Sequence, residues 1–230
     1  MSKRQVVGSM SEWSGVLKDL FQQIDDGSVT LPQVQTFLEH RNPFEAKLDI
    51  EKLVKDWENF YQEVFGIKVD FYELPIPKHQ PGFDRLIIVA EQMTPETLFN
   101  KCKELFPCWK WTDKNLDEIV ESERTTKNGA YAIWVRDRVE ADEELKNLSA
   151  NDSKKQDIPG ITLEERLLYE LKYFRETSKH LDVKNLTLCA GSRDDGGGVP
   201  GVSWDGVRLG VYWCPPDDRG GSLRSRQVVS

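Results

Sequence analysis

Scarce cysteine, scarce histidine and the lack of any long apolar run set the first limits on this 230-residue chain. The four cysteines, Cys102, Cys108, Cys189 and Cys214, form no C-x-x-C pair, and no histidine lies between Cys102 and Cys108. That usage fits reduced core thiols and excludes a disulfide framework, with zinc ligation disfavoured. The best apolar run, Leu86 to Ala90, is strand-sized and far short of the ~18–20 residues that cross a bilayer. Met1 to Met10 carries Lys3 and Arg4 with no apolar stretch behind them. A secretory signal is therefore not expected, and a soluble, cytoplasmic protein is. Positive charge is also in deficit: 31 Lys and Arg against 39 Asp and Glu leave −8, which opposes nucleic acid and anionic membrane as bulk partners. No G-x-S-x-G, H-E-x-x-H or Walker loop occurs, and His40, His79 and His180 are scattered. The residues thus name no reaction, no cofactor and no oligomeric state.

What is present is aromatic surface. Ten Phe, seven Trp and six Tyr supply enough apolar area to rule out a wholly disordered chain. The first eighty residues read as helical. Ser11 is placed to cap a helix to about Ile24, with Trp13, Val16, Leu17, Leu20, Phe21 and Ile24 as its apolar stripe. Thr30 opens a second helix with Gln33 at the capping-box position, Val34, Phe37 and Leu38 face inward, and Asn42-Pro43 ends it. A third runs from about Glu45 to Phe65, closed by Gly66. Two short helices and a turn permit a helix-turn-helix, hence a DNA-associated regulator as one reading. Against it, residues 1–70 hold eight basic and twelve acidic side chains, a net of −4.

The stiff connector Leu74-Pro75-Ile76-Pro77 marks the expected boundary between a helical region, 1–80, and an α+β domain, 81–230. Phe83–Ala90 and Tyr131–Val135 read as buried strands, Cys108–Thr112 as a short one. Thr94-Pro95 starts a helix to about Phe106. Asp113–Lys127 reads as loop with a helical turn, Val139–Leu148 as a helix and Asn151–Gly160 as linker. Thr162 with Glu165 caps a helix to about His180. The tail changes composition: residues 185–230 hold nine of the sixteen glycines, five Arg and five Asp, but no Lys or Glu. Asn185–Ala190, Val202–Trp204, Arg208–Trp213 and Gln227–Val229 read as strands, with Asp205-Gly206 as a hairpin turn. The class expected is α+β, an N-terminal helical part followed by a mixed, largely antiparallel sheet with flanking helices.

Three constellations have chemistry to offer. Arg136 to Glu144 is the densest charge cluster and follows a strand end. On a helix from Val139, Glu140, Glu143 and Glu144 would share a face, and with Asp137 they offer ligands for a metal-assisted hydrolase. The plainer reading is acidic residues favoured in a first helical turn, with Arg136 and Arg138 as surface pairs. Gly191 to Pro200 is Gly-rich and follows a strand, so its N–H groups offer a weak anion cradle or a simple hairpin loop. The C-terminal arginines lie near Trp204, Tyr212 and Trp213, and guanidinium forks grip anionic groups as ammonium cannot. Arg138, Arg193 and Arg224, with Trp204 as a stacking face, are therefore the expected contacts to an anionic small molecule or macromolecular partner. The matching Asp count points instead to pairing within the chain.

The strings PGFDRLIIVA (81–90), AYAIWVRDRVEADEELKNLSA (130–150), NLTLCAGSR (185–193) and LRSRQVVS (223–230), with the NPF at Asn42 to Phe44, resemble an uncharacterised family of bacterial hypothetical proteins. The resemblance covers most of the chain and implies no activity, cofactor or catalytic residue.

Overall fold

The computed structural model describes residues 9–38 and 48–230 and divides into two compact units, Met1–Asp49 and Ile50–Ser230. In the first, α1 (Met10–Asp25) is capped by Ser9, two residues before the expected Ser11. The Ser9 hydroxyl accepts the Glu12 N–H at 3.4 Å, and the Glu12 carboxylate accepts the Ser9 N–H at 2.6 Å. Glu12 at the third helical position selects Ser9 over Ser11, since it completes the reciprocal pair. In α2 (Leu31–Leu38) Gln33 accepts the Thr30 N–H at 2.7 Å. The apolar stripe is exposed rather than inward-facing: Val16, Phe21, Phe37 and Leu38 each keep more than half of their surface. Two short helices offer too little surface to enclose a core. The Asn42-Pro43 stop, the NPF string, His40 and the expected start of the third helix at Glu45 lie outside the described residues.

The second unit runs α3 (Ile50–Phe65), β1 (Arg85–Val89), α4 (Pro95–Leu105), β2 (Cys108–Lys110), α5 (Leu116–Ile119), β3 (Val120–Ser122) and β4 (Tyr131–Val135). It continues with α6 (Ala150–Lys155), α7 (Leu163–Thr177), β5 (Leu186–Leu188), β6 (Ser192–Asp194), β7 (Val199–Trp204), β8 (Leu209–Cys214) and β9 (Leu223–Ser225). This is the expected α+β class. Among the described residues no helix is long and apolar enough to cross a membrane.

α3 explains why the division falls at 49/50 rather than at 80. β1 pairs antiparallel with β4 alone among strands, Ile87 opposite Ile133, which leaves one row of its backbone groups without a strand partner. Two buried side chains of α3 take up part of that row. The Trp57 indole donates to the Leu86 carbonyl at 3.1 Å, and the Tyr61 hydroxyl donates to the Ile88 carbonyl at 2.7 Å while accepting the Ala90 N–H at 3.0 Å. A helix seated on the edge in this way obstructs the approach of another strand.

The five-stranded sheet has the order β2-β8-β7-β5-β9, with antiparallel pairs at its centre and parallel pairs, β2/β8 and β5/β9, outside. Beyond β9 the chain stitches the layers together. Gln227 bridges Gly160, and Val229 exchanges both backbone hydrogen bonds with Trp134 of β4 at 2.9 Å. The Gln227–Val229 strand expected from sequence is thus a pair of isolated bridges.

α7 packs against α4, β1 and β7, and every residue from Leu163 to Lys172 is buried. A helix buried over these turns must pair its charges or neutralise them. Asp182, with no exposed surface, takes Arg166 on Oδ2 at 2.9 Å and Arg226 on Oδ1 at 2.8 Å, and accepts the Thr187 hydroxyl as well. Arg166 also donates to Glu170 at 2.9 Å, and Arg226 donates further to the carbonyls of Arg138 and Val139 and, through Nε, to the Thr187 hydroxyl at 3.2 Å. Burial works against the charge on Arg166, but Asp182 and Glu170 outweigh it and hold the guanidinium above its usual range. Glu170 then holds His180 Nδ1 at 2.8 Å, and the imidazole lies stacked between Phe174 and Trp204.

Three local expectations depart from the structure for different reasons. Val139–Leu148 forms no helix beyond a single 3-10 turn, Glu143–Leu145, because distant partners capture its backbone. Its Val139 carbonyl accepts Asp182 N–H, Ala141 N–H goes to the Asp182 carboxylate and Asp142 N–H to the Ser225 carbonyl. The linker-like 151–160 begins with α6, capped reciprocally by its own neighbours Ser149 and Asp152. Within 113–127 the expected helical turn is α5, but β3 is added to it; β3, β6 and β9 are three residues each, too short to show a period of two.

Two predictions follow from these contacts. Asp182→Asn keeps the shape but leaves Glu170 as the one anion of the cluster for two buried guanidiniums, with Arg226 losing its carboxylate, and is expected to cost about 3–5 kcal/mol in urea unfolding. Tyr61→Phe leaves the Ile88 carbonyl and Ala90 N–H unsatisfied and is expected to cost about 1–3 kcal/mol in the same measurement.

Candidate functional site

The polar centre that sequence patterning does not single out lies at the N-terminus of α7. Thr162 caps the helix, its hydroxyl accepting the Glu165 N–H at 3.3 Å while Glu165 accepts the Thr162 N–H at 2.8 Å. Arg124 grips the same Glu165 with two bonds, 2.7 and 3.0 Å, and donates to the Gly160 carbonyl at 2.6 Å. Glu165 is therefore fully occupied. Its neighbour Glu164 is not: it is buried, and no Lys, Arg or His among the described residues forms an ion pair with it.

Two glycines bring β6 up to this helix end. A Cβ on Gly191 would lie 2.6 Å from the Gly160 carbonyl oxygen, and one on Gly160 would lie 2.6 Å from Ala190 Cβ. The close approach lets Leu163 N–H donate to the Ser192 hydroxyl at 2.9 Å. Antiparallel register then sets Ser122 of β3 opposite Ser192, their hydroxyl oxygens 2.7 Å apart, and Ser122 donates to Glu164 Oε2 at 2.7 Å. Since Ser192 accepts from the backbone and Ser122 donates to the carboxylate, the intervening proton belongs to Ser192. A directed chain results: Leu163 N–H, Ser192, Ser122, Glu164.

Burial is the main influence on Glu164 and the adjacent Glu165 charge adds to it; hydroxyls of Ser122 and Thr162 and the helix N–H oppose it without cancelling it. The carboxyl is pushed up to about 7. It lines a cleft of about 470 Å³ whose other wall is the start of α4. Asp117 fixes that wall, accepting the Thr94 hydroxyl at 2.7 Å and the Glu96 N–H at 2.9 Å. Thr125 belongs both to this cleft and to a second groove of about 720 Å³, which Arg124 and Tyr131 also line. The Tyr131 hydroxyl is buried without a hydrogen-bond partner, and burial, then the charges of Glu165 and Glu164, push its phenol well above the usual range. A buried carboxyl pushed up toward neutrality, lining a cleft and lacking a cationic partner, is equipped for proton transfer.

The residues expected from sequence are dispersed. Arg138 forms a fork with Glu144 at 2.6 and 2.9 Å, holding that carboxyl down at about 2. Arg224 is paired with Glu143 and donates to the Gly221 carbonyl at 3.1 Å, so both arginines end on the 143–145 turn. Arg193 spends Nη1 on the carbonyls of Ala190 and Ser192, and burial lowers the pKa of its guanidinium. Trp204 stacks on His180 with centroids 3.4 Å apart, so one of its faces is already taken. The pairing foreseen among the C-terminal Arg and Asp residues is found for Arg208 with Asp205, whereas Arg219 and Arg226 pair with acids outside that segment, Asp152 and Asp182.

The alternative metal ligands diverge too. Asp137 accepts the Tyr169 hydroxyl at 3.2 Å, Glu140 caps the backbone of Lys184 and Asn185, and Glu143 meets Lys146 and Arg224. Among the described residues no group of three or more His, Cys, Asp or Glu is placed to hold a metal ion. In the Gly-rich loop, Asp194 Oδ1 accepts the N–H groups of Gly196 and Gly198, and the Asp194 carbonyl accepts that of Gly197, which consumes the anion cradle. The cysteines are free, and burial pushes their thiols up, Cys108 to about 12 and Cys214 to about 11. Comparisons with protein-family models, with curated proteins and with solved structures find no match to this chain.

Proposed function

We propose that the protein binds a small polar ligand in the cleft between the starts of α4 and α7, and that Glu164 exchanges a proton with it. One observation carries the reading: a buried carboxyl with hydroxyl partners and no cationic one lines an open cleft. Burial without an ion pair is costly for a carboxylate, and groups kept at that cost near neutrality serve acid–base chemistry more often than packing. In this role Ser122 orients the carboxyl, and Ser192, anchored by the α7 backbone, orients Ser122. The opposite treatment of adjacent residues supports the division of labour, with Glu165 paired to Arg124 and Glu164 left without a cationic partner.

Two measurements test it. Carbon-13 NMR of the Glu164 carboxyl is expected to give a midpoint near 7, and compounds that bind the cleft are expected to move that midpoint. Titration in the ordinary range near 4.5, unaffected by a broad panel of small amines, acids and neutral polyols, would end the reading. Stability supplies the second. The folded chain binds the Glu164 proton more tightly than the unfolded chain, so its contribution is complete below about pH 4.5 and is lost as pH rises through about 7. Glu164→Gln, which mimics the protonated form, is expected to match the wild type at low pH. Above pH 7 it should exceed the wild type by up to about 3 kcal/mol in urea unfolding.

A further inference from the structure

One end of the five-stranded sheet carries aromatic surface that the core does not use. Strand alternation puts Gly210, Tyr212 and Cys214 of β8 on one face, and Cys214 packs there under Ala150 of α6. Further along the same face the cover stops. Trp109 of the edge strand β2 lies opposite Gly210 in the parallel register and remains 38% exposed. Tyr212 folds back over Gly210, since a Cβ there would sit 2.4 Å from the far end of the tyrosine ring. A glycine at this point lets the ring lie along the sheet instead of standing off it. The Trp109 and Tyr212 centroids are 5.4 Å apart at 51°, and the Arg208 guanidinium lies 5.4 Å from the indole centroid. At the rim Arg208 pairs with Asp205 at 3.2 Å, both partly exposed.

We propose that Trp109, Tyr212 and the Asp205–Arg208 pair form a shelf that binds a neutral saccharide. The C–H face of a pyranose ring is apolar and slightly positive, matching the negative face of an aromatic ring. Its equatorial hydroxyls require a donor and an acceptor side by side, which Arg208 and Asp205 supply. Charge selects against a polyanion, because the chain carries −8 and an aspartate stands at the rim. Size selects against a second protein copy: two partly exposed rings offer far less than the roughly 800 Å² per partner of a stable interface. No residue of the shelf lines the Glu164 cleft, so the two proposals stand apart.

The test is isothermal titration of the full chain with cellohexaose, maltohexaose, chitohexaose and a ten-residue oligothymidylate. At least one saccharide is expected to bind. Trp109→Ala, and Gly210→Ala, which displaces the Tyr212 ring, should each weaken that binding at least tenfold. Tyr212→Ala serves as the second probe of the ring where Gly210→Ala shifts the unfolding midpoint, and Glu164→Gln should leave the affinity within twofold. Absence of binding by all three saccharides overturns the proposal. So does affinity indifferent to Trp109→Ala, or tighter binding of the oligothymidylate.

Discussion

A single carboxylate, Asp182, holds two fully buried arginines sixty residues apart in the chain, Arg166 on α7 and Arg226 beyond β9. With Glu170 the group is electrically balanced, two cations against two anions, and nearly every donor has an acceptor. Balance of this kind does not make the interior more stable than a hydrocarbon core of the same volume would be. It makes the interior particular, because only one arrangement of α7, the 138–142 segment and the C-terminal residues satisfies it. The buried helix, the loss of helical structure after β4 and the stacking of His180 on Trp204 are all consequences of where these charges must sit.

Much of the second unit was legible because its signals are local. The reciprocal cap at Thr162 and Glu165, the Thr94-Pro95 start and the Tyr131–Val135 strand depend on neighbours within a few residues, and they stand where spacing puts them. The segment 139–148 was misread for the opposite reason. Its acidic run has helical spacing, but its backbone groups are claimed from forty and more residues away by Asp182 and Ser225. The Ser149–Asp152 cap of α6 precedes a polar run with no apolar periodicity, which is why 151–160 reads as linker.

The candidate site was less legible still. Glu164 and Glu165 are chemically alike and adjacent, and only the third dimension separates them, by giving Arg124 to one and Ser122 to the other. The residue pair Ser122 and Ser192 is seventy positions apart and meets through three-residue strands. For the C-terminal arginines, pairing was legible in kind but not in partner. Only Arg208 finds its acid in the same segment; Arg219, Arg224 and Arg226 reach back to Asp152, Glu143 and Asp182, and Arg193 turns to carbonyls.

The stitching of residues 223–229 into β5, Gly160 and β4 has a bearing on how the protein is made. Until Arg226 leaves the ribosome, the cluster around Asp182 holds one cation against two anions, and a half-neutralised interior resists closure. Long-range pairing of this kind also delays the barrier crossing itself. The helices and the β1–β4 pair can assemble before Arg226 is made, but the interior locks only afterwards, and until then its unpaired strands and apolar faces are open to misassociation.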